Sequence, residues 1–143
     1  MKMKNKKGFT LVELLAVIVV LGVILSIAAT SVINVIKANR AKTFSKTMDV
    51  VVQSAKSILA GKEIKVCDTD ACVNTFKDKL ISSLNISSSD YEISITYENP
   101  GYKIKLSPGS SGKFKNIVFN DKNLGDGVRV NDSSLEYILK DNR

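Results

Sequence analysis

The 143-residue chain has no histidine and no tryptophan, only two cysteines, and no proline before Pro100. Without an imidazole there is no Ser-His-Asp or Cys-His nucleophile arrangement and no histidine metal site. Cys67 and Cys72 cannot fill a four-coordinate structural zinc site by themselves, and their C-x4-C spacing is not that of a C-x-x-C redox pair. No phosphate-cradling glycine loop, nucleophile with a base, or general acid/base pair can be assembled. Asp68, Asp70, Asp121, Asn123, Asp126 and Asp132 are oxygen donors in loop-like stretches, but the run from Asp121 has Asp126 where a calcium-binding EF-hand loop needs its sharp-turn glycine. These read as solvated turn residues. The expectation is a protein that is not an enzyme and has no cofactor and no metal.

Acidic residues are also outnumbered, 14 against 21 Lys+Arg, for a formal charge of +7. A basic balance invites a nucleic acid or an anionic membrane, and the placement of the charge decides between them. Lys2, Lys4, Lys6 and Lys7 precede one uncharged run, and Lys37, Arg40, Lys42 and Lys46 follow it. From Thr47 onward, 13 basic residues face 13 acidic ones. No nucleic-acid partner is expected of a neutral body.

That run, residues 14–36, holds 23 residues without a charge. At ~1.5 Å per residue it spans the ~30 Å hydrocarbon layer of a membrane, with the N-terminal lysines cytoplasmic and the rest of the chain outside. A secretory signal peptide or signal anchor is the plain reading, with Ser26-Ile27-Ala28 as a small-x-small cleavage site. Two details point elsewhere. The apolar stretch exceeds a usual signal core, and Glu13 stands at its start, where a carboxylate in a membrane segment costs roughly 2.5–3.5 kcal/mol and seldom lacks a partner.

The stretch Lys6-Lys7-Gly8-Phe9-Thr10-Leu11-Val12-Glu13-Leu14-Leu15 resembles the N-terminal signature of type IV pilins and pseudopilins: a basic leader, Gly, Phe, then an apolar helix with an early Glu. The resemblance implies that a prepilin peptidase cuts between Gly8 and Phe9 and methylates the Phe9 amine. It divides the chain into a leader, residues 1–8; a transmembrane and assembly half-helix, residues 9–36; and an extracytoplasmic head, residues 37–143. Glu13 would then pair with the Phe9 amine of a neighbouring subunit. Such a pair is worth about 4 kcal/mol before desolvation at ~4 Å and an effective dielectric of ~20, while a subunit out of register leaves a buried charge unpaired at roughly 3–5 kcal/mol. The other reading of Glu13 is an interfacial carboxylate reaching back toward Lys6 and Lys7. Many pilins of double-membraned bacteria carry a proline near the position of Thr30, which this chain lacks, so Gly22 is the weak point of its apolar helix.

Beyond the membrane segment, Phe44, Met48, Val51, Val52, Ala55, Ile58 and Leu59 share one helix face. With no Pro or Gly between Val23 and Ala60, one helix from Phe9 to Ala60 is predicted, about 78 Å long at ~1.5 Å per residue, with Gly61 as its stop. A second helix is predicted over residues 68–84, capped by Thr69 or Asp70 and burying Ala71, Phe76, Leu80, Ile81 and Leu84. Residues 91–98 and 102–107 alternate as two strands, with Tyr97 expected opposite Ile104, Ile95 opposite Leu106, and Glu98 opposite Lys103. A third strand is expected over residues 114–119 and a fourth over 128–130, and residues 135–139 suit strand or helix. The fold expected is α+β: a long N-terminal helix packed on a small antiparallel sheet, as in the pilin family. Cys67 and Cys72 lie outside the membrane in this topology, where a disulfide closing their short loop adds about 2 kcal/mol in the chain-entropy model; two free thiols are the alternative.

The expected function is a structural subunit polymerising through its N-terminal helix into a surface filament, with adhesion, twitching motility and DNA uptake as downstream uses. The partners implied are copies of itself, the prepilin peptidase, an assembly ATPase, a platform protein and the membrane. A pseudopilin of a type II secretion or competence system shares every N-terminal feature. A signal-anchored surface domain that binds a ligand and never polymerises is the rival from another class.

Overall fold

The computed structural model describes residues 8–61, 69–119 and 124–140. Its first helix, α1 (Leu11–Ala60), is unbroken through Gly22, since a run rich in Leu, Ile, Val and Ala with no proline offers nothing to stop it. The helix ends at Gly61, whose N–H still reaches the Ser57 carbonyl at 2.9 Å. The chain divides into two compact units, Met1–Ile36 and Lys37–Arg143. Among the described residues the only regular element of the first is α1, and its large apolar side chains from Phe9 to Ile36 are 44% to 88% exposed.

The second unit is an α+β head. It comprises the rest of α1, α2 (Asp70–Ser83), β1 (Tyr91–Glu98), β2 (Gly101–Pro108), β3 (Val128–Asn131) and β4 (Ser134–Lys140). All neighbouring strands are antiparallel, in the order β1-β2-β4-β3. Period-two alternation gives the sheet one apolar face. Register aligns Ile93, Leu106, Leu135 and Val130 in one row across four strands, and Ile95, Ile104, Tyr137 and Val128 in the next. The face of α1 predicted from its periodicity covers these rows: Phe44, Met48, Val51, Val52, Ala55 and Leu59 are buried, and Ile58 packs beside them.

Aromatic residues are few, and all eight in the head join this core. Phe44 lies 5.3 Å from Tyr91, 5.4 Å from Phe114 and 5.1 Å from Phe119 between ring centroids. On the outer face of the sheet, Lys103 reaches Glu98 of β1 at 3.2 Å and Glu136 of β4 at 3.6 Å.

Three expectations are corrected and one open alternative is decided. The hairpin register is shifted by two residues: Tyr97 faces Tyr102, Ile95 faces Ile104 and Ile93 faces Leu106. The strands run on to Glu98 and Gly101, leaving Asn99 and Pro100 as the turn, and the tighter turn sets Tyr97 against Tyr102 at 5.6 Å. An even shift keeps every side chain on its face, so the core set survives. Glu98 faces Gly101 and meets Lys103 on the diagonal.

Secondly, α2 exposes Ala71 and Ile81. Phe76 packing on Tyr102 at 4.9 Å sets its rotation, so the inward side runs through Cys72, Phe76, Leu80 and Leu84 at four-residue steps. Thr69 is the N-cap residue but makes no side-chain cap bond. Thirdly, residues 114–119 form consecutive turns and not a strand: the Lys115 N–H bonds the Gly112 carbonyl, the Ile117 N–H bonds the Phe114 carbonyl, and Asn116 takes a left-handed φ of 61°. Phe114 and Ile117 reach the core three residues apart, which alternation would forbid. Finally, residues 135–139, open between strand and helix in the sequence, belong to β4, which pairs with β2 on one side and β3 on the other.

Candidate functional site

The residues singled out for processing and assembly stand at the start of α1. A Cβ built on Gly8 would meet nothing within 4 Å, so no packing inside the chain calls for glycine there. Phe9 is 88% exposed. The Gly8–Phe9 junction is thus exposed and precedes the first turn of α1.

Thr10 and Glu13 form a capping box. The Thr10 N–H and the Thr10 hydroxyl both donate to Glu13 Oε2 at 2.9 Å, and the Glu13 N–H returns a 3.3 Å bond to Thr10 Oγ1. The arrangement satisfies amide donors that the first turn of a helix leaves without partners, and it places a carboxylate at the positive end of the helix dipole. Thr10 is a residue that the sequence reading passed over, although Thr-x-x-Glu before an apolar run is the signature of this box. Glu13 is therefore not without partners in the single subunit. Both bonds go to Oε2, and no described residue bonds Oε1, so the box leaves one carboxylate oxygen open to a further donor. The alternative partners named for Glu13, Lys6 and Lys7, lie outside the described residues.

Further along α1 the hydroxyls bond the helix's own carbonyls, Ser26 to Gly22 at 2.8 Å and Thr30 to Ile27 at 3.0 Å. That internal satisfaction is what an apolar surrounding demands. Each large apolar side chain left in water forgoes about 1.5–3 kcal/mol of burial, so an exposed row from Phe9 to Ile36 needs lipid or other helices around it. α1 is long and apolar enough to cross a membrane.

The head offers no comparable chemistry. Among the described residues no three His, Cys, Asp or Glu side chains gather as a metal site. Of the cysteine pair, Cys72 is half-buried against the core, and Cys67 lies outside the described residues, as do Asp68, Asp121 and Asn123. Asp90 accepts the Lys113 N–H at 3.0 Å and pairs with its ammonium at 3.1 Å. These contacts hold the Asp90 carboxyl below the ordinary aspartate range, the backbone hydrogen bond contributing most. Lys103 is held above the ordinary lysine range, chiefly by its bond to Glu98 and then by the charge of Glu136. Both pairs fasten the head together.

An α+β head and an exposed apolar helix behind a Gly-Phe junction fit a membrane-anchored precursor. Residues 3–29 match the family model of the prokaryotic N-terminal methylation motif, the class III-type signal found at the start of type IV pilins and pseudopilins. The match covers about a fifth of the chain and supports a type IV pilin or pseudopilin. No curated protein and no solved structure matches the chain.

Proposed function

We propose that the chain is a pilin, the structural subunit of a type IV pilus, made as a single-pass membrane precursor and polymerised through α1 into an extracellular filament. The observation that carries this reading is the capped, exposed apolar helix starting two residues after the Phe of a Gly-Phe junction, within a matched methylation motif. In this reading residues 1–8 are the leader, residues 9–36 the membrane and assembly segment, and residues 37–143 the head. A prepilin peptidase cleaves between Gly8 and Phe9 and methylates the Phe9 amine. An assembly ATPase acting through a platform protein then extracts subunits from the lipid.

Glu13 of one subunit pairs with the Phe9 amine of the next. Oε1 is the oxygen available for that contact, so intersubunit pairing and the capping box are compatible. The Cys67–Cys72 disulfide is proposed on the pair's extracytoplasmic placement, and Cys72 not being a free thiol supports it. Adhesion, twitching motility and DNA uptake are tasks such filaments serve. A pseudopilin of a type II secretion or competence system is the second reading, favoured equally by the N-terminal motif.

Intact mass and N-terminal sequencing of the protein from its native host test the proposal. A chain beginning at methylated Phe9 is expected. A start after Ala28, or an uncut Met1, overturns it in favour of a signal-peptide or signal-anchor protein. Abundant chain in filaments sheared from the cell surface separates pilin from pseudopilin.

A further inference from the structure

A groove of the head lies between the second half of α1 and residues 115–119, with a volume of about 630 Å³. The short side chains of Ala38 and Ala41 leave room on the helix side, and Lys37, Arg40, Lys42 and Lys115 bring four positive charges to its walls. Among the described residues no carboxylate lines it and none of the four cations is ion-paired. Val118, 85% exposed, and the half-buried Phe119 add an apolar lip beside the cations. Four like charges sharing one groove raise its positive potential, and an anion relieves it.

We propose that this groove holds the headgroup phosphate of an anionic phospholipid from the leaflet on the head's side, while the subunit is still anchored in the membrane. The inference rests on the membrane-anchored reading of residues 9–36. Lys37 follows Ile36 directly, so the first cation stands one residue beyond the uncharged run. From Lys37 to Lys42 the helix rises about 7.5 Å, close to the ~5–7 Å depth of the headgroup layer on each side of the hydrocarbon. A free phosphate has no use for Val118 and Phe119, whereas a phospholipid brings apolar glycerol esters next to its phosphate. Lys115 is the diagnostic residue, because it comes from the turn segment and not from the helix flanking the membrane. Its side chain is exposed, and only its backbone N–H bonds within the fold, so replacing it leaves the head intact.

The test uses the full processed chain in a neutral detergent. Short-chain phosphatidylglycerol, phosphatidylcholine and inorganic phosphate are titrated separately, and bound species are counted by native mass spectrometry. Phosphatidylglycerol should be retained in preference to phosphatidylcholine. Lys115→Gln should weaken that retention about fivefold, the worth of roughly one surface cation near an anionic headgroup. Lys115→Arg should restore it, and Lys140→Gln, outside the groove, should leave it unchanged. Equal retention of the two lipids overturns the proposal, as does a Lys115→Gln chain that binds like the wild type. Displacement of phosphatidylglycerol by an equal concentration of phosphate makes the ligand a free anion and also overturns it. So does a salt-sensitive dimer that blocks lipid binding, which would make a second copy the occupant. A chain that fails to float with liposomes counts against the membrane reading alone, because retention in micelles is measured separately.

Discussion

Replacing Thr10 with alanine removes one oxygen and two of the three bonds of the capping box, leaving the bond from the residue 10 N–H to Glu13 Oε2. Loss of a threonine cap costs about 1 kcal/mol, within a range of roughly 0.5–2. A helix of fifty residues does not unfold for that amount. The cost falls on its first turn, whose frayed population should rise about fivefold, since ~1.4 kcal/mol is a factor of ten. The Glu13 amide, which bonds Thr10 Oγ1, reports this directly. Amide hydrogen exchange on the full chain in micelles should show it about fivefold faster in Thr10→Ala and unchanged in Thr10→Ser. Amides a few turns on, such as that of Ile24, should not respond. Equal exchange at Glu13 in Thr10→Ala and wild type would refute the box. Glu13→Gln separates the box from the intersubunit role: an amide oxygen can still accept from Thr10, but it brings no charge to a neighbour's Phe9 amine. Glu13→Gln should therefore keep slow exchange and normal cleavage after Gly8 while surface filament falls. Normal filament in a strain whose only copy carries Glu13→Gln would end the pairing role.

Phe44→Ala deletes a fully buried ring in contact with three others, so it should destabilise the head by about 3–5 kcal/mol, read as a large fall in Tm; a loss below about 1 kcal/mol would contradict its central place. Asp90 titrates lower in the folded head than in the unfolded chain, so its contribution is present above its unfolded pKa and lost as pH falls through the folded one. The stability gap between wild type and Asp90→Asn should thus close on acidification, and parallel curves would show that the Lys113 contacts do not set that pKa. Lys103 has the opposite sign: its contribution is present below its unfolded pKa and fades as pH rises through the raised folded value, so Lys103→Met should flatten the alkaline limb of thermal unfolding. Cys67 and Cys72 should resist alkylation until a reductant is added, with about 2 kcal/mol of stability lost on reduction; labelling before reduction would disprove the disulfide.

The sequence disclosed most where one physical requirement ruled a whole segment. Unbroken apolar character fixes α1 through residue 36, and a four-and-three spacing fixes its buried face from Phe44 to Leu59. Alternation gave both arms of the first hairpin and their inward faces, but the register depended on the Asn99-Pro100 turn, which alternation does not constrain. In residues 114–119 Phe, Ile, Val and Phe favour a strand locally, while the chain takes turns with a left-handed φ at Asn116 and packs Phe114 and Phe119 against Phe44, a tertiary contact that local preference does not carry. At the candidate site, Gly8, Phe9 and Glu13 were legible as a motif. The cap role of Thr10 is carried by the local pattern Thr-x-x-Glu before an apolar run, and it satisfies Glu13 within its own helix. The groove at Lys115 depends on residues more than seventy positions apart along the chain, a proximity that no local pattern carries.

The strand order has a consequence for how the protein is made. β4 is the last of the four strands to leave the ribosome, yet it lies between β2 and β3 and holds β3 in the sheet. Until it has emerged, β2 lacks one neighbour, β3 lacks its only one, and Leu135 and Leu139 are missing from the core. α1 is by then long finished and, in the proposed topology, already seated in lipid. In that topology the head would cross the bilayer before its sheet could close, and would complete its fold on the far side once the final strand is delivered.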